Sequence, residues 1–255
     1  MKQANRNRWK KYISRLITII CLGVFSYAAF NLVLIFNDYY QNRKMLNELQ
    51  DTFYQAKKDM GDSQSHTIRP GFQALLEQNP DVVGWITIEG TQVDYPILQA
   101  PNNETYLTRN YYGKESRAGS IFLDYRNDVD TANDQNTVIY GHRMKDGSMF
   151  QQLTKFLDKD FFESHKAFQF DTLYDSYEAE IFAVYNTLTD FDYIQTNFST
   201  DEQYEAFLAK VQKKSLYKTD VELNPDDAII TLSTCEYTLD QDNGRLVVQA
   251  KLVKK

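Results

Sequence analysis

The sequence predicts a mostly β protein: an eight-stranded closed barrel decorated with helices, preceded by an N-terminal transmembrane helix and a helical stalk. Three observations carry that reading. Eight short apolar runs bounded by turn residues fall within about 170 residues after position 81, a spacing that argues for a barrel or sandwich. Stretches of helical period interrupt them, and closure would remove exposed sheet edges. An uncharged run at residues 16–36 follows a basic N-terminus.

In chain order, residues 1–15, MKQANRNRWKKYISR, carry six basic residues and no acidic ones. LITIICLGVFSYAAFNLVLIF, residues 16–36, is long enough to cross a bilayer as one helix, with Asn31 near its outer end. The basic cluster should stay cytoplasmic and leave the rest of the chain outside. A cleavable signal peptide would have a shorter apolar region before a small-residue cleavage site. Ala28-Ala29 is buried within the run, so an uncleaved anchor is the preferred reading, and either one exports residues 37–255. Residues 38–60 have helical composition, with Leu46, Leu49 and Phe53 recurring at 3–4 spacing; GDSQSHT, 61–67, is a polar linker. Pro70 opens a short helix that Pro80 closes. The domains expected are a cytoplasmic tail 1–15, a transmembrane anchor 16–36, a stalk and linker 37–69, and an extracellular domain 70–255.

The candidate strands are VVGWITI (82–88), TQVDYPIL (91–98), GSIFLDY (119–125), NTVIYGH (136–142), AFQFDTLY (167–174), YEAEIFAVYNTL (177–188), DAIITLSTC (227–235) and RLVVQAKLV (245–253). Asp175-Ser176 suits a tight hairpin between the fifth and sixth. Helical pieces are expected at about 102–110, 147–163 and 201–216, the last with Tyr204, Phe207, Leu208 and Val211 on one stripe.

Composition excludes several functions. Without its six N-terminal cations the chain holds 22 basic against 35 acidic residues, a charge near −13. Nucleic-acid binding requires phosphate neutralisation and is not expected. Two cysteines and three histidines give no conventional structural zinc site, and no metal or other cofactor is expected. DYRNDVDTANDQN, 124–136, lacks the spacing and glycine of an EF-hand loop and reads as a solvated acidic loop. His66 and His165 have no partners in the sequence and read as surface residues.

The exported part has one cysteine, Cys235, where cysteines usually come in disulfide pairs. A leftover thiol there points to intermolecular pairing or a reactive group. In its strand Ile230, Leu232 and Thr234 face one side and Thr231, Ser233 and Cys235 the other, so the thiol sits at a barrel rim. If the next strand pairs antiparallel, Arg245 returns beside Cys235. If the strand ending in His142 runs parallel to that of Cys235, the imidazole shares the rim. Thiolate, imidazole and fixed cation make a covalent-catalysis set of nucleophile, acid/base and oxyanion partner. Each alone is weak: a strand cysteine is most often an inert small hydrophobe.

TLSTC, with an arginine ten positions on and YGH about 90 residues upstream, resembles the sortases, cysteine transpeptidases of Gram-positive surfaces. The helices before the first strand, the insertion at about 189–226 and phrases such as DYPILQ and GSIFLDYRND are similar to class B. The resemblance covers roughly residues 70–255 and implies Cys235 as nucleophile, His142 as general acid/base and Arg245 as oxyanion or substrate-orienting residue. It implies Tyr140, Ser233 and Glu236 flanking the site, and Asn103, Leu107, Thr189, Tyr193 and Ile194 as peptide contacts. The implied reaction cleaves a C-terminal sorting motif after threonine, forms a thioester and transfers the protein to an amino group. The implied partners are a surface protein or pilin bearing that motif, such as an NP-x-T-N-like pentapeptide, and a peptidoglycan-precursor amine. Haem-uptake protein anchoring and pilus assembly both remain open. The alternatives are a hydrolytic surface cysteine peptidase and a non-catalytic surface-binding module. Papain-like enzymes place Cys before His, whereas here His142 precedes Cys235.

Overall fold

The computed structural model describes residues 2–60, 67–128 and 134–255. Residues 61–66 of the linker, with His66, and residues 129–133 of the acidic loop lie outside them. The chain forms two compact units, residues 1–43 and 44–255. The first is the leading part of a single helix, α1 (Lys2–Met60). It includes a stretch long and apolar enough to cross a membrane, and Leu16, Ile20 and Phe25 are exposed along it.

The second unit contains the remainder of α1, then α2 (Pro70–Gln78), β1 (Val82–Thr87), β2 (Asp94–Leu98), β3 (Ile121–Leu123), β4 (Asn136–Tyr140), α3 (Lys159–Ser164), β5 (Ala167–Thr172), β6 (Ser176–Leu188), α4 (Asp201–Lys214), β7 (Ile229–Cys235) and β8 (Gly244–Lys254). The strands close in the order β1-β2-β3-β4-β7-β8-β6-β5. Pairs β2/β3 and β4/β7 are parallel; the others are antiparallel. All eight expected strands form, and β5 and β6 meet through a short turn in which Thr172 N–H donates to Asp175 O at 2.8 Å.

Two of the expected helices are shorter or different in kind. Over 102–110 only a 3-10 turn, Thr105–Leu107, forms, because the Asn102 carboxamide accepts the N–H groups of Glu104 and Thr105. Such local acceptors compete with helix propagation. The 147–163 stretch divides into a 3-10 helix, Phe150–Leu157, and α3. The break is Asp158, extended (φ −86°, ψ 127°), whose carboxylate caps α3 by accepting from Phe161 N–H at 2.9 Å. By contrast α4 forms over nearly the expected span: Thr200 caps it, acidic residues open it and lysines close it.

Two apolar cores follow. Ile230, Leu232, Leu246, Val248 and Ile181 belong to the main core, with Trp85 and Phe150. Tyr204, Phe207, Leu208 and Val211 of α4 form a second cluster with Phe182, Tyr185, Ile229 and Val247 of the sheet. Strands β6, β7 and β8 are therefore buried on both faces, which is why they read as nearly continuous apolar runs. The Thr231 hydroxyl of β7 is satisfied laterally. Thr231 donates to Asn136 Oδ1 at 2.7 Å and accepts from Gln249 Nε2 at 2.9 Å, while Asn136 Nδ2 reaches the carbonyls of Tyr193 and Gln195. These bonds hold the β6–β7 insertion to the strands that end at the thiol.

Candidate active site

Parallel pairing of β4 with β7 aligns Tyr140 with Ser233 and sends both strands to one rim. Antiparallel pairing of β7 with β8 makes Cys235 and Arg245 register partners. Cys235 is half-buried and unpaired. Two residues past β4, His142 is held by its own backbone, its carbonyl accepting from Phe150 N–H at 2.9 Å. Its Nε2 lies 2.7 Å from Leu107 O. A carbonyl only accepts, so Nε2 carries a proton there and the ring gains or loses charge at Nδ1. Gly141 is required by close approach: a Cβ there would stand 2.8 Å from the Phe150 ring.

Arg245 is fixed by its own turn, Nη1 donating to the carbonyls of Asp242 (3.0 Å) and Gly244 (2.8 Å). That turn is tight, with Glu236 N–H donating to Gly244 O at 2.9 Å and a Cβ at Gly244 falling 2.6 Å from Asp240 O. The hydrogen bond with His142 is the main influence lowering the Cys235 thiol below its usual value. Burial opposes that shift, while the Arg245 charge and, last, the Tyr237 hydroxyl support it. The same bond raises His142, against desolvation and with help from the Leu107 carbonyl. Both shifts move the pair toward thiolate and imidazolium, the nucleophilic form.

A cavity of about 280 Å³ opens on this rim, lined by Cys235, His142 and Arg245. Of the expected peptide contacts Asn103, Leu107, Tyr140 and Ser233 line it, with Phe122 completing an apolar side. Thr189, Tyr193, Ile194 and Glu236 do not. Tyr193 is buried, and its hydroxyl pairs with Ser233 Oγ at 2.9 Å. Ile194 gives its carbonyl to Arg126 at 2.9 Å, and Thr189 N–H donates to Asn243 O at 3.0 Å beside the β7–β8 turn. Glu236 is 2% exposed and turned inward. It accepts from the hydroxyl and N–H of Thr238 and from Leu239 N–H (3.0 Å), and it pairs with Arg143 at 3.4 Å. Tyr237, whose ring lies 5.5 Å from the Arg143 guanidinium, was not singled out from sequence; nor was Thr234. Thr234 lines the cavity, yet its hydroxyl is buried without a hydrogen-bond partner among the described residues. Its place next to Cys235 was the available signal.

A closed barrel with thiol, imidazole and guanidinium gathered at the ends of three neighbouring strands is the arrangement of a cysteine acyl-transfer enzyme. The sortase-domain family model matches residues 86–253. Sortase B of Listeria monocytogenes is 43% identical over 247 residues, spanning 96% of this chain and 99% of that protein. The crystal structure of sortase B from B. anthracis, in complex with AAEK1, superposes with a TM-score of 0.78 at 50% identity, over 86% of this chain and 100% of that one. A Staphylococcus aureus sortase B–substrate complex gives 0.78 at 37%, over 85% and 98%. The chain belongs to the sortase family and is a class B cysteine transpeptidase.

Proposed function

We propose that the chain is a membrane-anchored transpeptidase in which Cys235 attacks a threonine carbonyl of a C-terminal sorting motif. The oxyanion that forms faces the Arg245 guanidinium. Collapse breaks the peptide bond: the departing amine takes a proton from the His142 imidazolium, and the upstream protein remains as a thioester on Cys235. An amino group of a wall precursor or a pilin then attacks the thioester. Its proton returns to His142 and the thiolate leaves. The observation that carries this reading is the Cys235–Arg245 register pair with His142 just past the end of the adjoining parallel strand. The basic tail 1–15 faces the cytoplasm, the 16–36 anchor spans the membrane, the 37–69 stalk and linker follow, and the domain 70–255 acts outside, where exported substrates meet membrane-borne wall precursors.

The deciding experiment is intact mass spectrometry of the full chain in detergent, incubated with sorting-motif peptides, NP-x-T-N-like ones among them. A mass gain equal to the peptide's N-terminal fragment, absent from Cys235→Ala, is expected. Hydroxylamine should then speed turnover and appear in the product as a hydroxamate, which separates transfer from hydrolysis. A Cys235 that acquires no adduct and also resists alkylation would overturn the reading in favour of a non-catalytic module.

Thr234 gives a second expectation. An unpartnered buried hydroxyl destabilises by about 1–3 kcal/mol, so its presence beside the nucleophile favours a use in the site. Thr234→Val should hold or raise the thermal midpoint while slowing acyl transfer about tenfold. Unchanged transfer would show that the hydroxyl has no part in it.

A further inference from the structure

Asp124 has no part in the acyl transfer above, yet it is fully buried and bonded to two residues that line the cavity. It follows β3, and its N–H still donates to Val138 O of β4 at 2.8 Å. Oδ1 accepts from Nε (2.8 Å) and the backbone N–H (3.0 Å) of Arg126. Oδ2 accepts from Arg126 Nη2 (2.7 Å), the Tyr140 hydroxyl (2.8 Å) and Asn103 Nδ2 (3.0 Å). Arg126 Nη2 donates onward to Ile194 O in the β6–β7 insertion at 2.9 Å, and Asn103 Oδ1 accepts from Tyr125 N–H at 3.0 Å. One forked ion pair thus joins the β2–β3 connection, the end of β4 and the insertion.

An ion pair whose carboxylate is buried is a poor device for stability, because desolvating that carboxylate offsets most of the attraction. What a fork of parallel hydrogen bonds supplies is fixed geometry. We propose that the Asp124–Arg126 pair is a positioning strut of the peptide groove: it holds Asn103 and Tyr140 in place relative to the insertion backbone at Ile194, and so sets which peptides the groove admits. This rests on the reading of the cavity as the peptide site. The electrostatics agree. Burial alone would raise the Asp124 carboxyl, but Arg126, Tyr140 and Asn103 outweigh it and hold the group below its usual range. Burial, and then that carboxylate, keep the Tyr140 phenol well above its own, so it stays a donor.

The test uses the full chain in detergent with Arg126→Lys, which keeps the charge but not the fork, and with Asp124→Asn as second variant. Arg126 is 37% exposed at its side chain, so the lysine variant can fold. The probes are quenched peptides with an NP-x-T-N core in which x is varied, iodoacetamide for Cys235, and amide hydrogen exchange. The expected result for Arg126→Lys is a KM raised fivefold or more, with altered preference at x. kcat and the alkylation rate stay within twofold. Exchange quickens in residues 99–107 and 190–197 and not in β7 or β8. An unchanged KM with unchanged exchange in those segments would overturn the strut. So would quickened exchange throughout the barrel, which would assign the pair to the fold alone. If the parent chain cleaves none of the peptides, the NP-x-T-N motif fails separately, and the exchange comparison still decides for or against the strut.

Discussion

Cys235→Ala is expected to abolish acyl transfer, and His142→Ala to slow it by about a hundred- to ten-thousand-fold, the usual contribution of a positioned acid/base. The two should not add: with the thiol gone, losing His142 has nothing left to slow. The pH behaviour follows from the directions of the two shifts. The active form needs thiolate and imidazolium together. Rate therefore falls on the acid side, where the thiolate takes up a proton, and on the alkaline side, where the imidazolium loses one. His142 depresses the thiol and Cys235 elevates the imidazole, so each widens the window for the other, and the two limbs belong to the coupled pair. Removing His142 takes away the chief influence lowering the thiol. Its pKa then rises toward the ordinary cysteine range, the thiolate fraction at neutral pH falls, and iodoacetamide alkylation at pH 7 slows. Arg245→Gln should move the thiol the same way by less, since the guanidinium ranks below the imidazole among the influences that lower it. Alkylation rates against pH for the parent and both variants measure this; an unaltered profile in His142→Ala would remove the imidazole from the site.

The barrel was legible because its strands announce themselves by local chemistry: apolar runs closed by turn residues at Glu89-Gly90, Asp175-Ser176 and Asn243-Gly244. The approach of Arg245 to Cys235 was legible for the same reason, as two runs joined by a short loop return at one end. Strand order was not. That β4 lies parallel to β7, bringing His142 to the thiol, depends on pairing across about 90 residues that no local pattern encodes. Side-chain direction was also hidden. Glu236 follows Cys235 in sequence, yet the tight turn at Gly244 leaves its carboxylate facing Thr238, Leu239 and Arg143. Asp124 stood in an acidic stretch that reads as solvated, and only the fold shows its carboxylate buried and paired with Arg126. Tyr193 is tied to the cavity wall through Ser233, and Ile194, farther behind it, through Arg126 and Asp124.

Truncating the chain before Thr67, or replacing Phe53 by alanine, is expected to destabilise the barrel unit strongly. The Leu46, Leu49, Phe53 stripe predicts an amphipathic helix but names no partner for it. The partner is the barrel: Phe53 is 2% exposed, stacks on Trp85 at 4.2 Å between ring centres and meets Phe72 edge-on at 5.1 Å. Gly71 leaves room for that ring, since a Cβ there would fall 2.7 Å from it. Polar bonds fix the register of the contact. Gln50 donates to Asp94 O at 2.7 Å, and Asp94 Oδ1 collects the Tyr54 hydroxyl, the Trp85 indole N–H and the Thr87 hydroxyl. Burial first, with Asp94 adding to it, pushes the Tyr54 phenol up to about 12, so it remains a donor throughout the physiological range. Emptying a buried phenylalanine site costs about 3–5 kcal/mol. For a unit of this size that lowers the thermal midpoint by on the order of 10 °C. A chain begun at Lys44 retains all of these contacts and should melt within a few degrees of the full chain. One begun at Thr67 loses them, exposes Trp85 and Phe72, and should melt at least as far below the full chain as Phe53→Ala does. Equal midpoints for the two truncations would mean that the helix rests on the barrel without supporting it. Unequal ones would make the last turns of α1 part of the enzyme's fold, so that the end of that helix and the catalytic barrel fold as one cooperative unit from residue 44 onward.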